Sequence, residues 1–236
     1  MSRFFYHAHA LAVAGHLRKP LEYSLDPRAA CVLPSLGGQA RSRAEGFSLR
    51  HPATDELLVA FSSAETFLQG VQSGPRLHRT ELRASVRGLN VLNLLRAEEV
   101  LAVMVLTYDR AGHTLTVDTT GSRFAGLRLA GQPLEISLDH ALSGEAADYP
   151  AFRNRHPELL ESRGVTRYSL ARHPLLKFEP GEAGYLDRPD FGRIYFCEWA
   201  AAPYRQSLTM LRLRLGSPAE GELEIGSIEA NGNDYP

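Results

Sequence analysis

The sequence predicts an all-β fold, namely a single antiparallel β-sandwich-like domain over residues 1–236 with a short helical insertion near 144–164. Three observations favour this fold class. Apolar and polar residues alternate over long runs, as they do in half-buried strands. The segment 124–136 has the pattern of a hairpin, because leucines at alternate positions flank an Ala130-Gly131 turn. A chain of 236 residues is also a normal size for one all-β domain.

The first predicted strand covers residues 3–17. Its alternation places His7 and His9 on one face and Phe4 and Tyr6 on the other, since neighbouring side chains of a strand point to opposite faces. Further strands of the N-terminal half are predicted at 39–50, 57–71, 80–86, 99–108 and 114–119.

Two segments have helical features. Residues 92–99 are rich in helix-favouring types, but Asn90, Asn93 and the β-rich flanks favour a bulged strand or a tight bend instead. The segment 144–164 is the one predicted helical region, ending at Gly164 as a C-cap and limited to short pieces by two prolines. Strands then follow at 166–178, 193–200, 207–215 and 220–228.

The composition narrows the functional classes. A formal net charge of -1 argues against a nucleic-acid partner, because such proteins present a basic face to the phosphates. The sequence contains no apolar run long enough for a transmembrane segment. Residues 3–15 resemble a signal peptide, but His7 and His9 interrupt the apolar run and His16 follows it directly, so a cytoplasmic location is favoured. Cys31 and Cys197 are expected to be buried free thiols, with one long-range disulfide as the alternative.

His7 and His9 are the candidate metal ligands. Residues i and i+2 of a strand project from one face, so both imidazoles could hold one divalent transition metal. Such a site also needs a third ligand and an ordered second shell, which the sequence does not place nearby. No other cofactor is predicted.

The remaining candidate sites are less specific. Tyr195 and Trp199 are spaced to share a strand face and could stack on a sugar, although core packing is the commoner role of such a pair. Glu98 and Glu99 should point to opposite faces unless a bulge intervenes, so they are not expected to act as a carboxylate pair. The sequence shows neither a G-x-S-x-G elbow nor a P-loop, and no catalytic residue is predicted.

A protein partner or self-assembly is the expected mode of action. Arg212 and Arg214 alternate with leucines along 207–215, so one side of that strand should meet water or a partner. Only Lys19 and Lys177 are lysines among 26 basic residues, and arginine is favoured at protein interfaces. The sequence therefore favours a non-enzymatic structural or binding protein, with a metal-dependent enzyme or metal-binding barrel and a carbohydrate-binding sandwich as alternatives.

Several short segments resemble a known group of proteins. They are Gly88-Leu89-Asn90-Val91-Leu92-Asn93, Ala97-Glu98-Glu99-Val100, residues 121–133, Phe191-Gly192-Arg193-Ile194-Tyr195 and Leu208-Thr209-Met210-Leu211. Together they resemble a group of uncharacterised bacterial β proteins and, more distantly, the choice-of-anchor P type of bacterial surface protein. The resemblance implies hairpins and packed strands but no catalytic residues. The chain departs from the surface-protein pattern, because neither a signal peptide nor a C-terminal anchor is evident in it.

Overall fold

The computed structural model describes residues 4–155, 166–179, 183–202, 205–216 and 218–231. In chain order its elements are β1 (Ala8–Lys19), β2 (Tyr23–Val32), β3 (Gly38–Arg50), β4 (Leu57–Gln72), β5 (Leu77–Val91), β6 (Leu95–Asp109), β7 (Thr114–Asp118), β8 (Arg123–Ala125), β9 (Arg128–Leu129), β10 (Gln132–Pro133), β11 (Ser137–Leu138), α1 (His140–Glu145), α2 (Tyr149–Arg155), β12 (Thr166–Ser169), β13 (Ala171–Arg172), β14 (Tyr185–Arg188), β15 (Gly192–Ala202), β16 (Arg205–Leu215) and β17 (Glu220–Ala230). Among the described residues, neither helix is long and apolar enough to cross a membrane.

Two antiparallel sheets form a sandwich, which confirms the predicted fold class. Sheet I has the strand order β12-β15-β16-β17-β1-β2, with β14 also paired to β15. Sheet II has the order β10-β9-β6-β5-β4-β3, and β7, β8 and β9 pair in turn along one edge of β6. A small third sheet joins β11 to β13. Since β1 pairs with β17, the first and last strands lie side by side in sheet I.

The hydrophobic core lies between the two sheets. Strands β1 and β17 of sheet I pack against β4, β5 and β6 of sheet II. Trp199 and Phe196 from sheet I and Leu82 and Met104 from sheet II are among the fully buried side chains. Their burial removes a large apolar area from water, which is the main stabilising contribution in a fold of this kind.

The first strand begins at Ala8 and not at residue 3 as predicted, but the segment that leads into it has the two faces expected of it. Phe4 and Tyr6 are buried, whereas His7 and His9 are exposed. Phe4 stacks on the ring of His78 at 4.1 Å between centroids, and the Tyr6 hydroxyl lies 3.1 Å from Nδ1 of that histidine. The inner face of the chain start is therefore anchored to sheet II, while the two exposed histidines remain on the outside.

Two tight turns confirm the predicted bends. At Leu92 and Asn93 the backbone has φ of 54° and 56°, and the Leu94 amide donates to the Val91 carbonyl, so β5 returns directly into β6. No helix forms there. At Ala130 and Gly131, φ is 50° and 79°, which joins β9 to β10. This is the hairpin expected from the sequence, although its two strands are short.

The helical insertion starts earlier than predicted. Helix α1 begins at His140, because the Asp139 side chain caps it by accepting a hydrogen bond from the Leu142 amide at 3.3 Å. Helix α2 ends at Arg155, and Phe152 from it is fully buried. The part of the predicted helical region from 156 to 165 lies outside the described residues.

Sheet I contains a line across its strands at which side-chain alternation slips by one residue. We call it the inner crease, and in order across the sheet it consists of Cys197, Met210, Gly226, Ala12 and Ala29. Each of these residues is opposite the next across the sheet but drops out of the regular pairing. Positive φ occurs at Ala29, Cys197 and Gly226 (49°, 49° and 66°). As a result, pairs of consecutive residues such as Met210 and Leu211 are both buried.

Sheet II has a matching line with the opposite effect. We call it the outer crease, and it consists of Gly46, Ser62, Gly88, Glu98 and Gly126. Positive φ at Gly88 and Gly126 (61° and 58°) interrupts the alternation. Here pairs of consecutive residues point away from the core, so Glu98 and Glu99 share the outer face. The expectation that these two side chains point to opposite faces is therefore wrong, because the crease acts as the intervening bulge.

Candidate functional site

A cleft of about 350 Å³ opens on the outer face of sheet I, which is the face directed away from sheet II. Its floor is formed by small residues, among them Ala200, Ser207, Thr209 and Ser227. The inner crease explains the depression. Because Met210 and its neighbours across the sheet turn towards the core, that row contributes no side chain to the outer face.

One wall of the cleft is a buried charge cluster around Glu198. The Arg212 guanidinium donates to this carboxylate through Nε at 2.5 Å and Nη2 at 3.2 Å, and Arg167 Nη1 lies 3.5 Å from it. The side chain of Glu198 is only 9% exposed. Arg212 also lies over the ring of Tyr195, 3.9 Å from its centroid. Packing and hydrogen bonds therefore fix both charged groups in place before any ligand arrives.

The opposite wall is formed around Glu229. Its carboxylate pairs with Arg205, and Nδ1 of His9 lies 3.8 Å from it. A third carboxylate, that of Glu224, accepts a hydrogen bond from the Thr209 hydroxyl at 3.3 Å. The cleft therefore has acidic groups on both sides of a small, neutral floor.

Acidic and basic groups lie at different depths in this cleft. The side chains of Glu198 and Glu229 are 9% and 18% exposed, whereas those of Arg167 and Arg205 are 47% and 66% exposed. An approaching molecule meets guanidinium groups first and carboxylates only below them. Guanidinium groups recognise carboxylates with good geometry, so this rim is suited to an acidic group.

A second, wider depression continues from the cleft towards the edge of sheet I. It has a volume of about 790 Å³ and shares His9, Arg205 and Glu229 with the cleft. Beyond His9, its outward-facing lining on β1 and β2 is apolar and includes Val32, which is 71% exposed. We refer to it as the edge groove.

A comparison with known protein families finds one family that matches most of the chain. The model of DUF8256, a domain of unknown function, matches residues 4–173. The chain belongs to this family. No curated protein and no solved structure matches the sequence. The match supports an uncharacterised domain, but it gives no support to the finer resemblance to choice-of-anchor P proteins or to a bacterial origin.

The cleft extends beyond the matched part of the DUF8256 domain. His9 and Arg167 lie inside residues 4–173, whereas Glu198, Arg205 and Glu229 lie outside it. Strands β14 to β17 complete sheet I, so the cleft requires the C-terminal strands in addition to the matched region.

Of the two histidines predicted as metal ligands, His9 lies at the border of the cleft and the edge groove, whereas His7 lines the edge groove alone. His9 has the Glu229 carboxylate nearby, whereas the backbone amide of His7 donates to the Asn231 side chain at 2.8 Å. The described part of the chain contains no group of three His, Cys, Asp or Glu side chains that could hold a metal ion. Metal binding by this pair stays a prediction. Elemental analysis of the purified protein tests it: stoichiometric metal that His7→Ala/His9→Ala loses supports it, and metal-free protein contradicts it.

The expected shared face of Tyr195 and Trp199 is wrong. Positive φ at Cys197 breaks the alternation between them, so Trp199 points into the main core and Tyr195 outwards. Both side chains are fully buried, Tyr195 beneath the guanidinium of Arg212 and against the ring of Tyr185. A sugar therefore meets no exposed aromatic row in this position.

Both cysteines are free, as expected, but only Cys197 is also buried. Cys197 is fully buried, and this burial raises the pKa of its thiol far above the ordinary value. Cys31 is half-buried, and burial raises its pKa too, although the hydrogen bond from Thr66 opposes the shift. Neither thiol has the lowered pKa of an activated nucleophile.

Most cleft residues were not identified from the sequence. The alternation along 207–215 does indicate that Arg212 points outwards, and the structure confirms this. By contrast, Glu198 lies in an apolar-aromatic run, Ile194-Tyr195-Phe196-Cys197-Glu198-Trp199. A charged residue inside such a run is the one signal that could have identified it, since an ionised side chain in that position requires a partner.

Proposed function

We propose that this protein is a non-enzymatic binding protein that receives a polar segment of a protein partner in the cleft of sheet I. The observation that carries the proposal is the charge cluster of Glu198, Arg212 and Arg167 beside a floor of small neutral residues. The cleft volume lies at the lower end of the range of ligand pockets, which suits one or two inserted side chains.

The pairing of the charges favours recognition over catalysis. Glu198 and Glu229 each engage arginine, so their ionised forms have bonded partners within the cleft. Charges that are held in place in this way provide orientation and selectivity for a complementary partner. Arginine is also enriched at protein interfaces, and three arginines line this cleft: Arg167, Arg205 and Arg212.

Site-specific photo-crosslinking tests the proposal. A photoreactive amino acid replaces Ser207 on the cleft floor or, as a matched control, Ser85, which is also a half-buried strand serine but lies on the outer face of sheet II. In cells that produce the protein, we expect an adduct to one defined protein from position 207 and none to that protein from position 85. Mass spectrometry identifies the partner, and an adduct between two copies of the chain would identify self-assembly.

The crosslinked partner is then purified and its affinity measured by calorimetry. We expect the replacement Arg205→Glu to weaken binding at least tenfold, because it reverses a rim charge while Arg205 itself is mostly exposed. Equal affinity of the wild-type protein and this variant would contradict the proposal, as would adducts that form equally from positions 207 and 85.

A further inference from the structure

The cleft and the edge groove form one continuous surface with two kinds of lining. The cleft has arginines at its rim, whereas the groove presents Leu11, Ala30 and Val32. The two depressions meet at His9, Arg205 and Glu229. A ligand that occupies both must therefore offer a group for the arginines at one end and an apolar group at the other.

The register of sheet I gives the distance between these two ends. Ser207 pairs with Glu229, Glu229 with His9, and His9 with Val32, so they form one row across four strands. Neighbouring strands are about 4.8 Å apart, and three such steps span about 14 Å. An extended peptide rises about 3.3 Å per residue, so side chains four positions apart are about 13 Å apart.

We infer that the cleft and the edge groove together bind an extended peptide segment with an acidic residue and, four residues away, an aliphatic residue. The inference rests on the proposed function and names the chemistry of the partner. The acidic side chain lies at the cleft rim and pairs with Arg205 and Arg167. The aliphatic side chain lies in the groove against Val32 and Leu11.

An acidic group suits the rim better than a basic one for two reasons. The side chains of Arg205 and Arg167 are 66% and 47% exposed, far more than the carboxylates of Glu229 and Glu198 with which they pair, so an approaching cation meets like charge first. Each guanidinium also has five N–H donors, and a single carboxylate does not engage all of them. Donors therefore remain for an acidic group of the peptide. The aliphatic end has a similar basis, because burying Val32 removes an exposed apolar side chain from water.

Fluorescence anisotropy with synthetic peptides tests the inference. The probe is a labelled ten-residue peptide with one Glu and one Leu four positions apart in a Gly/Ser/Thr background, amidated at its C-terminus so that the Glu side chain supplies its only carboxylate. Three comparison peptides replace Glu by Lys, replace Leu by Ser, or shorten the spacing to two residues. We expect each change to weaken binding by about fivefold or more. Added salt should also weaken binding of the probe peptide, because it screens the attraction between Glu and the arginines.

Two protein variants identify the contacts. Arg205→Glu should lose affinity for the Glu peptide and gain affinity for the Lys peptide, which a merely structural effect would not produce. Val32→Asp should weaken binding of the probe peptide, which contains Leu, but leave the affinity for the peptide with Ser in place of Leu unchanged. Because position 32 is exposed, this replacement leaves folding intact.

Equal binding of the Glu and Lys peptides would overturn the inference, as would no binding of the Glu peptide at concentrations up to about 1 mM. Photo-crosslinking separates this failure from that of the proposed function. A partner captured through position 207 that lacks the acidic and aliphatic pattern would refute the peptide inference alone.

Discussion

The buried pair of Glu198 and Arg212 allows a quantitative prediction about stability. Replacement of Arg212 by Met keeps an unbranched apolar side chain but removes both hydrogen bonds to a carboxylate that is 9% exposed, together with the guanidinium that lies over Tyr195. Removing one partner of a buried pair costs about 3–5 kcal/mol, because the remaining charge is left without compensation. Since Arg167 stays at 3.5 Å and supplies part of that compensation, we expect a loss of about 3 kcal/mol.

A surface pair provides the matched control. Lys19 Nζ lies 2.7 Å from Glu220, but the lysine side chain is 66% exposed, so water screens the interaction. Lys19→Met should therefore cost much less than Arg212→Met. The comparison separates the effect of burial from the loss of an ion pair as such.

Urea unfolding followed by circular dichroism measures both variants, as the change in the free energy of unfolding. The double variant Arg212→Met/Glu198→Gln should be more stable than Arg212→Met alone, because it also removes the uncompensated charge. The reasoning would be refuted if Arg212→Met cost no more than Lys19→Met, or if the double variant lost the sum of the two single effects.

Two further predictions concern the inner crease and the thiols. Gly226→Ala should lower the free energy of unfolding by more than Gly131→Ala does. Both glycines have positive φ, and a left-handed conformation costs a residue with a Cβ about 1–2 kcal/mol. Only at Gly226 would the added Cβ also press against Met210, at 3.3 Å. Equal losses in urea unfolding would contradict this. Because burial raises the pKa of both thiols, less thiolate forms at a given pH than in a free cysteine; Ellman's reagent at pH 8 should label Cys31 slowly and Cys197 only after unfolding. As pH rises above the ordinary thiol range, the thiols of the unfolded chain ionise before those of the native protein, so the free energy of unfolding should fall. Rapid labelling of both cysteines in the native protein would contradict the raised pKa values.

The local elements of the fold follow from the sequence because they depend on neighbouring residues. Alternation over the first strand correctly separates Phe4 and Tyr6 from His7 and His9, since period two is a property of any extended segment. The Ala130-Gly131 turn is likewise recognisable, because such turns favour residues that tolerate positive φ. The sequence predicts the region of the helical insertion but not its start, because the Asp139 cap determines where the first helix begins.

The candidate site could not be found in the same way, because its parts are distant in the chain. His9 meets Glu229 only because β1 pairs with β17. Strand pairing over such a separation depends on how the two sheets cover each other, which no local pattern records.

The chain by itself therefore determined the fold class, the faces of its regular strands and its tight turns, because hydrophobic alternation and turn chemistry act over a few residues. Only the tertiary structure decided where alternation slips. At the inner crease, residues as ordinary as Cys197 and Met210 turn inwards because positive φ at Cys197 and Gly226 takes that row out of the regular pairing. That slip sends Trp199 into the core, leaves Tyr195 beneath Arg212, and opens the cleft to which the proposed function is assigned.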